Sequence, residues 1–113
     1  MLNNPQASYV QRGEAIDYKN EGSAEIKAND VVTLGTRVGV AGCDIPVGAT
    51  GSVHVLGVYD LPALNSEAFT VGQAAYWNST DKVVTVTAGT NTPAGWVVQA
   101  KASAGTIARI KIG

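Results

Sequence analysis

The sequence predicts an all-β fold, a compact antiparallel β-sandwich or partly open β-barrel of seven to eight short strands with an extended N-terminal arm. Three observations predict it. Short Val- and Thr-rich runs alternate in hydropathy with period two, turn signals recur about every 8–12 residues, and helical periodicity is almost absent. Only 15% of the 113 residues are charged, while glycine, alanine, valine and threonine abound, a composition that suits strands and tight turns. A chain of this length forms one domain that buries about 65% of its unfolded surface and folds without covalent staples. The division is an arm over residues 1–13 and a single β domain over 14–113.

In the arm, Asn3-Asn4-Pro5 is a turn signal, and Tyr9-Val10 is a lone apolar pair with no core periodicity around it. The segment reads either as a frayed terminus or as an arm that adds as an edge strand or lies on a partner, with Leu2, Tyr9, Val10 and Gln11 as its candidate contacts. Residues 14–18 read as a short strand or extended connection, closed by the turn Asn20-Glu21-Gly22. Residues 29–41 read as a bent strand or hairpin kinked near Gly35, with Val32, Leu34, Val38 and Val40 on one face.

The stretch 44–62, DIPVGATGSVHVLGVYDLP, reads as a central strand with two partners. Val53, Val55, Tyr59 and Leu61 form its core face, and Ser52, His54, Leu56, Val58 and Asp60 the other. Leu56 and Val58 are too apolar for a face meant only for water, so His54, Leu56 and Val58 are the candidate subunit interface. Gly57 marks a bulge or a close backbone approach within this strand.

Beyond Pro62, residues 63–72 read as a loop with one helical turn. Residues 73–77 and 82–88 flank Asn78-Ser79-Thr80-Asp81 and predict a hairpin; Asn78-Ser79-Thr80 also fits a glycosylation sequon, but without a secretion signal it reads as a turn. Residues 89–95 read as a further turn. A last hairpin follows, with Trp96, Val98 and Ala100 on one face of its first strand and Val97, Gln99 and Lys101 on the other. In its second strand Ala108, Ile110 and Ile112 face the core, and Ile107, Arg109 and Lys111 point away.

The chemistry of catalysis is nearly missing from the sequence. His54 is the sole histidine and has no Ser, Cys or carboxylate pattern around it, so it reads as a hydrogen-bonded or interface residue. Glu14, Asp17, Glu21 and Glu25 are an acidic scatter in extended chain and read as solvated charge. The single cysteine, Cys43, excludes an internal disulfide and reads as a small buried hydrophobe. No metal site, P-loop or other cofactor cradle can be built by spacing, and Tyr76, Trp77 and Trp96 read as core packing. Net charge is −1, unfavourable for nucleic acid. Its distribution is polar: residues 1–60 hold four basic and seven acidic side chains, and residues 61–113 four and two. No apolar run approaches the roughly 18 residues of a membrane span, and no signal peptide is seen, so no membrane partner is expected.

Read together, NDVVTLGTRVGVA (29–41), the 44–62 stretch, the VGQAAYWN and KVVT block between 71 and 85 and the closing TIARIKI resemble a family of small phage and prophage proteins. Members of that family resemble head decoration, or capsid-stabilising, proteins, although a label of predicted RecA/RadA-type recombinase is often attached to them. That label fails physically, because an ATP-driven recombinase needs a P-loop and a far larger α/β core. The resemblance covers roughly residues 8–113. It departs at Ala28-Asn29-Asp30, where many members carry a glycine before the aspartate.

The resemblance implies a non-enzymatic phage head decoration protein that needs no cofactor. It would bind the exterior of the major capsid lattice as a homo-oligomer, most simply a trimer, on the outer surface of a virion whose parts are made in the host cytoplasm. The rival reading is a prophage-encoded nucleic-acid accessory protein of barrel type.

Overall fold

The computed structural model describes residues 6–113, and Leu2 lies outside them. Nine strands are found among these residues, and no helix. They are β1 (Ala15–Lys19), β2 (Val31–Leu34), β3 (Arg37–Ala41), β4 (Thr50–His54), β5 (Gly57–Pro62), β6 (Ala74–Asn78), β7 (Val83–Thr85), β8 (Thr92–Val97) and β9 (Ile107–Ile112). A four-stranded sheet has the order β1-β4-β3-β2, a five-stranded sheet the order β5-β9-β8-β6-β7, and every strand pair is antiparallel. The fold is all-β and sandwich-like. A single parallel bridge between Ala63 and Val84 brings the end of β5 back towards β7, so the five-stranded sheet curls without closing into a barrel.

The predicted central strand is in fact two strands in two sheets. β4 belongs to the four-stranded sheet and β5 to the five-stranded one, and the chain crosses between them at Val55-Leu56. Gly57 follows the crossing with φ of +141°, a backbone region that side chains disfavour, and its bare Cα leaves room for the Tyr59 ring. Continuous alternation hid this break, since period two says nothing about which neighbour a strand pairs with.

The 29–41 segment is the predicted hairpin, with Gly35 at φ +68° in its turn. Its face assignment changes, however. The two-residue turn pairs Leu34 with Arg37 and Val32 with Gly39, so Val32 and Leu34 lie on the face opposite Val38 and Val40. Each face feeds a different core. Val38 and Val40 pack into the main core with Leu61, Phe69, Trp77, Val84, Val97, Ile110 and Ile112, and Val31 leans on it. Val32 joins Ala41, Ile45 and Val53 in a smaller core, flanked by Ile16, Tyr18, Ile26, Leu34 and Val55. A fully buried Val or Ile contributes about 1.5–3 kcal/mol by transfer from water, so both cores are needed.

The smaller core is roofed by irregular chain, and a buried asparagine organises the roof. Asn20 donates from Nδ2 to the carbonyls of Ala24 and Ile45, both at 2.9 Å, and its Oδ1 accepts the Gly22 amide at 3.0 Å. An unbonded amide side chain here would cost a few kcal/mol; this one is satisfied.

Several local expectations are corrected. Residues 63–72 contain no helical turn; the segment crosses the gap between β5 and β7 as a loop with turns at Asn65-Ser66 and Val71-Gly72, tied by Leu64 N–H to Val84 C=O and by reciprocal bonds between Phe69 and Lys101. Residues 92–95 belong to strand β8 rather than to a turn. Pro93 is tolerated where the β6–β8 register shifts between Ala75 and Tyr76, and Gly95 is required because a Cβ would stand 1.9 Å from the Lys111 carbonyl oxygen. Cys43 is exposed rather than buried. The Asn78–Asp81 turn is as expected: Asn78 Oδ1 accepts the amides of Thr80 and Asp81.

Candidate functional site

The side chains that could carry catalysis remain apart. His54, at the end of β4, is half-buried opposite Val40 and Ala15 and packs beside Gly42, where an added Cβ would sit 2.8 Å from Nε2. Among the described residues no group of three His, Cys, Asp or Glu side chains could hold a metal, and no helix is long and apolar enough to cross a membrane. The acidic scatter runs from Glu14, just before β1, through Asp17 in it to Glu21 and Glu25 in the loop after it; Glu14 pairs with Arg12 at 3.3 Å and Glu25 with Lys27 at 2.6 Å. Hydrogen bonding to the Glu25 carboxylate raises the pKa of Lys27.

What the fold does assemble is an apolar row on the outer face of the five-stranded sheet. Strict alternation sends Leu61, Val97, Ala108, Ile110 and Ile112 inward, so their neighbours point out. Val58 is the register partner of Lys111, Lys111 of Trp96, and Trp96 of Ala74, which sets four side chains side by side across four strands. Val58 is 53% exposed and Trp96 42%. Trp96 is thus no core residue, unlike Trp77. Its neighbour Val97 takes the interior because Gly95 and the register shift beside it fix the phase of β8.

One row further along, Asp60 and Arg109 are partners. Arg109 donates from Nε to Asp60 Oδ1 at 2.9 Å and from Nη2 to Oδ2 at 3.2 Å, and its Nη1 reaches Gln99 Oε1 at 2.9 Å. The two-pronged contact lowers the Asp60 pKa and raises that of Arg109, chiefly through the hydrogen bonds. Ile107, paired with Pro62, continues the apolar surface beyond this ion pair and is also exposed.

Leu56 is exposed at the sheet crossing, against Gly113, and Val58 lies on the outer face just described. His54 sits on the other sheet, so the three residues expected to share one face do not share one strand. Sequence reading missed Trp96 and Ile107 as companions of Val58, because register between strands far apart in sequence leaves no local signal.

The arm is the second candidate. Residues 6–13 form no strand, and Tyr9 and Val10 are more than four-fifths exposed. Gln11 donates from Nε2 to the Ala15 carbonyl at 3.0 Å, the one side-chain hydrogen bond that ties residues 6–11 to the β domain.

The described residues thus assemble no metal cluster, and they lay a row of partly exposed apolar side chains on the outer face of the curled five-stranded sheet. Compared with family models, residues 10–112 match the phage cement protein family, and the chain belongs to that family. It is therefore a capsid-stabilising structural protein of a phage particle, as the resemblance implied. No curated protein and no solved structure matches it.

Proposed function

We propose that this cement protein binds the outer surface of the assembled major capsid lattice as a trimer and holds the shell by mass action, without catalysis. The observation that carries the reading is the row centred on Trp96. An amphipathic aromatic that its own fold leaves half uncovered, between the stem of Lys111 and Ala74, has the character of an interface anchor. In this reading the outer face of the five-stranded sheet, with Leu56 at its border, makes the subunit contact, and Tyr9, Val10 and Gln11 with Leu2 grip the capsid protein.

The mechanism is linkage. A protein that binds assembled shell better than free capsid subunits lowers the free energy of the shell by its binding free energy at every occupied site, and a trimer engaging three arms gains further through effective concentration. The deciding experiment adds the purified protein to undecorated heads and to single-stranded DNA at low salt. Saturable co-sedimentation with heads and no retention by DNA is expected. DNA binding without head binding would favour the nucleic-acid reading.

A further inference from the structure

Lys101 is the one buried lysine, and the way it is buried is unusual. Its Nζ lies within hydrogen-bond distance of five backbone carbonyl oxygens: Glu67 at 2.6 Å, Leu64 at 2.9 Å, Ala102 and Gly105 at 3.0 Å and Ser103 at 3.3 Å. The Phe69 ring covers a further side, its centroid 4.7 Å from Nζ. An ammonium has three protons, so the acceptors outnumber the donors. Such a shell of main-chain oxygens, with no carboxylate in it, is the coordination sphere of a cation rather than the environment of an ion pair.

The sequence is arranged to build it. Residues 102–105 fold back over the side chain of the residue before them, closed by Gly105 N–H to Ala102 C=O. Gly105 is needed because a Cβ there would stand 2.9 Å from Lys101 Cγ and 3.2 Å from the Ala102 oxygen. The other two oxygens belong to the 63–72 segment, which crosses the gap between β5 and β7. That segment is pinned from its far side by Glu67, whose carboxylate accepts from Thr85 Oγ1 at 2.6 Å, Thr87 Oγ1 at 2.9 Å and Val86 N–H at 3.2 Å. The seam of the curled sheet is thus closed by a clasp with Lys101 at one side and Glu67 at the other.

We propose that this cage is a monovalent-cation site of ammonium type, occupied from within by Lys101, and that the cation rather than the aliphatic stem closes the seam. With Lys101→Ala, five inward-facing carbonyls lose their partner, and a free alkylammonium of the right length can take the empty place. The test is thermal unfolding of wild type and Lys101→Ala in ethylammonium chloride, with tetramethylammonium chloride at equal ionic strength as a cation that has no N–H. The variant is expected to melt on the order of 10 °C lower than wild type. Ethylammonium should restore several degrees to the variant, leave wild type unchanged, and be matched by no effect of tetramethylammonium.

Equal shifts in both proteins, or none in the variant, would overturn the proposal. Should the variant not fold, the native protein decides. In ¹⁵N-detected spectra the Lys101 ammonium should give a slowly exchanging signal that Lys19, Lys27, Lys82 and Lys111 do not give. Its absence would equally overturn the cation site.

Discussion

Replacing Trp96 by alanine tests the proposed subunit contact most directly. A tryptophan presents about 250 Å² at most, so an exposure of 42% leaves about 100 Å² for a partner to cover. At about 25 cal/mol per Å² the loss is about 2.5 kcal/mol per contact, or about 60-fold in its dissociation constant. A cyclic trimer has three such contacts. The monomer–trimer constant then changes by the cube of that factor, and the concentration of half-dissociation by its three-halves power, about 500-fold. Sedimentation velocity across a dilution series measures this shift. Trp77, buried in the main core, remains as a fluorescence reporter that the subunit is still folded. A variant with native Trp77 emission that stays trimeric at the same dilution as wild type would refute the reasoning, and so would a wild type that is monomeric throughout.

Deleting residues 1–11 should leave the oligomer folded, since among the described residues 6–11 Gln11 alone bonds the β domain through its side chain, yet weaken co-sedimentation with undecorated heads at least about tenfold, about 1.4 kcal/mol. Leu56→Asp should reduce assembly and keep the subunit soluble, whereas Val53→Asp puts a charge where no solvent reaches and should unfold it at a cost of several kcal/mol; equal melting temperatures for the two would contradict the burial argument. Glu67 is held below its ordinary pKa of 4.5, first by the Thr85 hydroxyl, so its ionised form is favoured by folding. That contribution is complete above about pH 4.5 and disappears as pH falls through the lower, folded value; urea titrations should show stability falling there, and Glu67→Gln should flatten the dependence. Asn29→Gly should be neutral or stabilising by up to about 1 kcal/mol, and Asn29→Val destabilising by about 1–2 kcal/mol, because Asn29 holds φ of +71°; chemical denaturation of the pair decides it.

That last residue shows how far local signals reach. Asn29 holds a left-handed backbone that a glycine, expected before the aspartate from the family resemblance, would adopt without strain, so the departure from that pattern asks for no change of local conformation. Fold class, the Gly35 and Asn78–Asp81 turns and the inward set Ala108, Ile110 and Ile112 were legible for the same reason: each depends on residues within a few positions. The break at Val55-Leu56, the opposite faces of Val32 and Val38, and the exposure of Trp96 were not. Each depends on which distant strand supplies the partner, and alternation is the same whichever one it is. The Lys101 cage was invisible for a related cause, since its oxygens are main-chain atoms and every residue type has one.

Strand β3 belongs to both cores at once. Val38 and Val40 lie in one, Ala41 in the other, and Gly39 is bare because a Cβ would come 2.5 Å from Val53 Cγ1 and 2.9 Å from the His54 carbonyl oxygen. Neither core can melt while the other keeps its lining, so the two sheets lose their structure together. Amide exchange in β3 should therefore require opening of the whole molecule, with no half-unfolded species populated on the way. In the proposed role on a shell, hold lost through unfolding would come from rare complete events, whose frequency is governed by the global unfolding rate, rather than from gradual loosening of one sheet.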